Sequence, residues 1–80
     1  MKNKILAFTA SWCTPCKNMK PVLEKLKDDV IIYDVEVHKD ETSTFSINSV
    51  PTFVIINSKN EEVSRIVGAT SYQRLKSFIT

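Results

Sequence analysis

Ile5 to Thr9 is a short apolar run that ends at polar punctuation, and this pattern predicts a buried strand. The period then changes. From Thr14 to Lys27, Cys16, Met19, Val22, Leu23 and Leu26 recur at three- and four-residue spacing, which is one apolar stripe of a helix. Pro15 suits the first turn of that helix, where its missing N–H leaves no bond unmade. Pro21 lies inside the pattern and predicts a kink, because it removes a helical hydrogen bond and crowds the preceding turn.

Val30 to Val37 predicts a second strand, with Tyr33, Val35 and Val37 alternating with Asp34 and Glu36. Asp40 to Asn48 is polar and reads as a short helix with Phe45 and Ile47 turned inward. Thr52 to Ile56 is a third strand, apolar throughout after Thr52. Asn57 to Glu61 is a turn and Glu62 to Val67 a fourth strand. Gly68 breaks the chain, and Ser71 to Ile79 closes it as a helix with Tyr72, Leu75, Phe78 and Ile79 on one stripe and Thr70 or Ser71 as its N-cap. The order is β-α-β-α-β-β-α. Its first half is a βαβ unit with parallel strands, and its last two strands are close enough to form an antiparallel hairpin. A four-stranded mixed sheet with helices on both faces satisfies the whole pattern. Phe8, Phe45, Phe53 and Phe78 are its expected core aromatics, with Met19 packing from the helix.

Eighty residues allow one domain, 1–80, with one modest core. The formal net charge of +2 is too small to point to nucleic acid. The first residues, MKNKILAFTASWC, lack the long apolar stretch and cleavage site of a secretory signal, and no run is long enough to span a membrane. The expected compartment is therefore the cytoplasm, and the expected state a monomer. In a reducing compartment a Cys-x-x-Cys pair points to catalysis or metal binding rather than to a structural crosslink.

Cys13 and Cys16 form such a pair at the predicted strand-to-helix junction. Unpaired backbone N–H groups at the start of a helix stabilise a thiolate on the first cysteine, and the second lies one turn deeper within disulfide reach. This makes Cys13 the nucleophile and the more exposed thiol, and Cys16 the buried, resolving one. A zinc site needs two further ligands, and the chain offers no third cysteine and only His38, which reads as a surface residue after a strand. No metal is expected.

With these residues in view, the chain resembles the thioredoxin family over nearly its whole length. Trp12-Cys13-Thr14-Pro15-Cys16-Lys17 resembles the family's WCxPCK active site. Val50-Pro51-Thr52 resembles its cis-proline loop, and Val67-Gly68-Ala69 the glycine loop bordering its substrate groove. The resemblance implies a thioredoxin-like fold and protein-disulfide reduction through a redox-active Cys13–Cys16 disulfide, with no bound cofactor. Trp12 would shield the disulfide and contact clients. Val50, Pro51 and Gly68 would line the groove with Thr14, Pro15 and Lys17, and Pro51 would follow a cis bond. A flavin-dependent, NADPH-fed thioredoxin reductase would recharge the protein, and ribonucleotide reductase would be one client.

The chain also departs from the family. Its CxxC strand comes first, without the family's additional N-terminal strand and helix. Thr14 replaces the usual glycine. Ala7 stands where the family places a buried aspartate, and Asp34 stands where it places the partner lysine. Asp34 is therefore the candidate for proton transfer to and from Cys16. Two other functions compete: a glutaredoxin-like reductase recharged by glutathione, favoured by small size, and a binding module that uses the thioredoxin surface with idle thiols.

Overall fold

A computed structural model describes residues 3–79 of the chain. Strand β1 (Lys4–Thr9) lies inside a four-stranded sheet of order β2-β1-β3-β4. Strand β2 (Val30–Asp34) runs parallel to β1, while β3 (Thr52–Ile56) is antiparallel to both β1 and β4 (Glu62–Val67). Every residue of β3 is buried, which explains its unbroken apolar run: a central strand covered on both faces shows no alternation.

Alternate residues of the two central strands feed two cores. Ile5, Ala7, Phe53 and Ile55 meet the helix face built by Met19, Leu23, Leu26, Leu75 and Ile79. Leu6, Phe8, Val54 and Ile56 face the other way, against Tyr33, Val35, Phe45 and Ile47. Helices α1 (Thr14–Asn18), α2 (Lys20–Leu26) and α4 (Tyr72–Ser77) thus cover one face and α3 (Lys39–Thr44) the other, as the pattern predicts. Phe8 and Phe53 are fully buried, while Phe45 and Phe78 are only half-buried at the margins.

The predicted long helix is two helices. Met19 caps the end of α1 and the start of α2, and Pro21, with no N–H to give, sits just inside α2. The break is the expected kink carried to completion. A single 3₁₀ turn, Lys27–Asp29, then leads into β2.

Strand β2 ends at Asp34 rather than at Val37. The Asp34 carboxylate accepts the Glu36 N–H at 2.8 Å, and its carbonyl accepts the N–H groups of Val37 (3.0 Å) and His38 (2.7 Å). These local bonds turn the chain off the sheet after the last ladder bond, from Val35 N–H to Thr9 O, and leave Val37 72% exposed. Helix α3 likewise stops at Thr44, short of Asn48. The left-handed Ser46 (φ 53°) reverses the chain so that Phe45 and Ile47 both reach the Leu6–Phe8 core. At the last helix, Ser71 is the N-cap, its hydroxyl accepting the Arg74 N–H, and Ile79 packs into the core beyond the helix end.

Arg65 ties β4 to the end of α3. Its guanidinium donates to the Phe45 carbonyl (2.7 Å) and to both carboxylate oxygens of Glu62 (2.8 Å each). The Arg65 hydrogen bond holds the Glu62 carboxyl below the usual glutamate range, against the opposing effect of burial, and the same bond raises the Arg65 value.

Because the Glu62 value is lowered on folding, its contribution is present above the ordinary glutamate range and is lost as pH falls through the folded value. Glu62→Gln should remove this acid-side dependence from denaturation midpoints while costing under about 1 kcal/mol near neutrality, as expected for a pair this open to solvent. Phe53→Ala should cost about 3–5 kcal/mol in urea unfolding, because a fully buried ring of the central strand leaves a cavity. Ile32→Thr on the edge strand, where Ile32 is 56% exposed, should cost less than about 1 kcal/mol.

Candidate functional site

Strand β1 ends at Thr9, and the next residues cross its end to the start of α1. Cys13 is the N-cap of that helix, in extended conformation (φ −93°, ψ 110°). The Cys13 N–H donates to the Ala10 carbonyl (3.2 Å), and the Cys13 carbonyl accepts from Lys17 N–H (3.2 Å), so both sides of the residue are held by backbone. Cys16, one turn on, is joined to Cys13 by a disulfide with a Cα separation of 5.2 Å. The Cys16 N–H donates to Cys13 Sγ at 3.2 Å. This bond does for a sulfur what an N-cap oxygen does for other helices, and it favours negative charge on Cys13 Sγ when the disulfide opens.

The expected contrast in exposure is absent. Cys13 and Cys16 are each only 4% exposed. With Ala10 they form a small cluster against which Val35 and Val50 pack, so the disulfide lies under an apolar margin instead of standing out from it. The sequence-based expectation of an exposed Cys13 overlooked this margin, because Val35 and Val50 arrive from distant parts of the chain. Trp12, by contrast, is 67% exposed, and Thr14, Pro15 and Lys17 are exposed along the first turn of α1.

The proline loop completes one side of the site. The Val50–Pro51 peptide is cis, as the resemblance implies. Pro51 is fully buried, and its carbonyl accepts the Gly68 N–H at 2.8 Å, which joins the glycine loop to the proline loop. The Thr52 hydroxyl donates to the Ser49 carbonyl at 2.7 Å. Trp12, Val35, Ile47 and Val50, with the polar Thr42, Asn48 and Ser49, line a groove of about 220 Å³ beside this loop. Val67, 64% exposed and in register with Thr52, extends the apolar surface. Trp12 and Val50 thus meet in the groove, while Pro51 is joined to Gly68.

Lys17 and Asp34 lie elsewhere. They line a separate cleft of about 290 Å³ that Cys16 shares with Lys20, Leu23 and Ile32. Ala7 is fully buried and Asp34 is set opposite Thr9 across the strand pair, so the carboxylate occupies the rim of the Cys16 cleft and not the sheet interior. Sequence reasoning missed Lys20 here, and in the groove it missed Thr42, Ile47, Asn48 and Ser49. Thr42, Asn48 and Ser49 read as undistinguished polar positions and Ile47 as a core residue, and only the folding of α3 and the segment after it brings them to the groove.

Among the described residues, no group of three or more His, Cys, Asp or Glu side chains is placed to hold a metal ion. No helix among them is long and apolar enough to cross a membrane.

Comparison with known proteins agrees with this geometry. The thioredoxin family model matches residues 1–80. Thioredoxin H2 of Arabidopsis thaliana is 35% identical over 74 residues, covering 84% of this chain and 55% of that protein. A thioredoxin of Staphylococcus haemolyticus is 35% identical over 71 residues, covering 81% of this chain and 67% of its own length. Among solved structures, reduced Schistosoma mansoni thioredoxin superposes with a TM-score of 0.84 at 30% identity, over 98% of this chain and 80% of that one. The chain therefore spans little more than half the length of the Arabidopsis relative.

Gly68 has φ 96°, and a Cβ placed there meets nothing within 4 Å. Backbone conformation, not space, requires the glycine. Gly68→Ala should lose about 1–2 kcal/mol in chemical denaturation, and Gly68→Asn should lose less, because asparagine tolerates positive φ better.

Proposed function

The chain belongs to the thioredoxin family, and we propose that it reduces protein disulfides by dithiol–disulfide exchange. The observation that carries this reading is the Cys13–Cys16 disulfide at the start of α1, with the Cys16 N–H aimed at Cys13 Sγ. In the reduced protein the Cys13 thiolate attacks one sulfur of a client disulfide. A Cys13–client bond forms, and the other client sulfur leaves as a thiolate that takes a proton. Cys16 then loses its proton and attacks Cys13 Sγ. The ring closes, the second client sulfur leaves, and two electrons have passed to the client.

The groove lined by Trp12, Val50 and Ser49 suits an extended client segment beside the disulfide. The separate cleft suits the proton. Cys16 and Asp34 share a space large enough for water, and Asp34 accepts the Cys16 proton there through a bridging molecule. Lys17 and Lys20, on the same rim, favour negative charge in that space. A thioredoxin reductase, drawing on NADPH through its flavin, returns the two electrons. Ribonucleotide reductase is one client, and the protein works as a monomer in the cytoplasm. Thioredoxin reductase is preferred to glutathione because the family match is to thioredoxin.

Reduction of insulin with NADPH and thioredoxin reductase tests this reading. The wild type should turn over, Cys13→Ser should be inactive, and Cys16→Ser should accumulate mixed disulfides with its clients. Turnover with glutathione and glutathione reductase alone would replace the proposed donor, and full biological activity of the double Cys13→Ser, Cys16→Ser variant would replace the proposed reaction. Asp34→Asn should slow release from a preformed mixed disulfide by about tenfold or more while leaving the initial attack by Cys13 unchanged. An Asp34→Asn variant with the wild-type rate in both steps would leave Asp34 with a structural role only.

A further inference from the structure

Thr52 is the one buried polar or charged residue among those described, at 2% exposure, and its hydroxyl is spent on the Ser49 carbonyl at 2.7 Å. We propose that Thr52 is a positioning residue for client binding, acting by holding the Ser49–Val50 backbone as a wall of the groove. The inference rests on the disulfide-exchange reading.

The argument begins with what the strand requires. Thr52 is the first residue of β3 and pairs with Phe8 on one side and Val67 on the other, so its backbone is fixed within the sheet. Its side chain falls on the same face as Val54 and Ile56, in apolar surroundings where valine would pack as well. The hydroxyl therefore needs a reason other than strand formation. Its partner, Ser49, is exposed and lies three residues back, across the loop that carries Val50 and Pro51. The loop has two anchors: the Gly68 N–H holds the Pro51 carbonyl from the β4 side, and Thr52 holds Ser49. Without the second anchor, Ser49 and the exposed side of Val50 are tied only at one end. Both line the groove with Trp12, while Val50 also packs against the cluster of Ala10, Cys13 and Cys16. Freedom there costs a client that must order the wall on binding. It leaves the disulfide itself, held by Ala10, Cys16 and Lys17, as it was.

The test compares wild type with Thr52→Val and Thr52→Ser. In insulin reduction, Thr52→Val should raise KM roughly three- to tenfold, the change that a lost hydrogen bond of this kind allows, with kcat within about twofold. The rate with hydroxyethyl disulfide, which is too small to use the wall, and the equilibrium potential should stay at wild-type values. Thr52→Ser, which keeps the hydroxyl, should restore the insulin KM. If Thr52→Val does not fold, Thr52→Ser and Thr52→Ala carry the comparison, since they differ only in the hydroxyl. The inference is overturned by an unchanged KM in the variants lacking the hydroxyl, by failure of Thr52→Ser to rescue, or by an equal loss with the small disulfide. A wild-type protein that does not reduce insulin at all would instead remove the functional reading beneath it.

Discussion

β1 and β3 pair antiparallel with Phe8 opposite Thr52, and this register sets where everything else in the site can be. The chain leaves the top of β1 toward Cys13 and enters the top of β3 from Pro51. Antiparallel pairing therefore puts the exit of one strand beside the entrance of the other. The β3–β4 ladder adds the third part in the same way: Thr52 opposite Val67 brings Gly68 within hydrogen-bond reach of Pro51. Three segments far apart in sequence meet because two ladders share one strand. A slip of one residue would exchange Phe53 and Ile55 with Val54 and Ile56 between the two cores, so the fit of each pair in its own cluster holds the register that builds the site.

The same arrangement separates what holds the fold from the disulfide. The two large clusters lie on either side of β1 and β3, and the cluster around Cys13 and Cys16 is small and lies at the strand ends. α1 and α2 meet at Met19, whose side chain is buried in the large core, while Cys16 in the turn before it faces the site. Pro21 thus lets one helical stretch serve two surfaces. The short α1 can follow the disulfide loop while α2 follows the sheet.

Much of this was legible in the sequence. The apolar runs at Ile5–Thr9 and Thr52–Ile56, the stripe from Cys16 to Leu26 and the pair of prolines were sufficient to place the strands, the kink and both faces. Pro51 does follow a cis bond, and its carbonyl is joined to the Gly68 N–H. What escaped was set by contacts between segments or by single side-chain bonds. Asp34 reads as a polar strand position, but its carboxylate and carbonyl together end the strand. Cys13 reads as exposed from its place at a helix start, but it is buried in a cluster with Ala10 and Cys16 against which Val35 and Val50 pack from far along the chain. Ser46 gives no sign of a positive φ, yet the reversal there is what turns Ile47 and Asn48 into groove. Hydrophobic period reports which face is buried; it does not report which loop will be folded over a neighbouring site.

Ala7 and Asp34 show how a departure in sequence is absorbed by this geometry. Ala7 sits in the large apolar cluster, so at this position the sheet interior carries no acid and no desolvated charge needs a partner there. The acid instead stands one strand over, on the rim of a cleft that reaches Cys16 and also holds Lys17 and Lys20. Ala7, packed in the large core, does not line that cleft. The disulfide closes a loop with a sequence separation of only 3, so it restricts the unfolded chain less than a long-range crosslink would. The cohesion of the fold lies instead in Ile5, Phe8, Phe53 and Ile55, all fully buried in the two large cores.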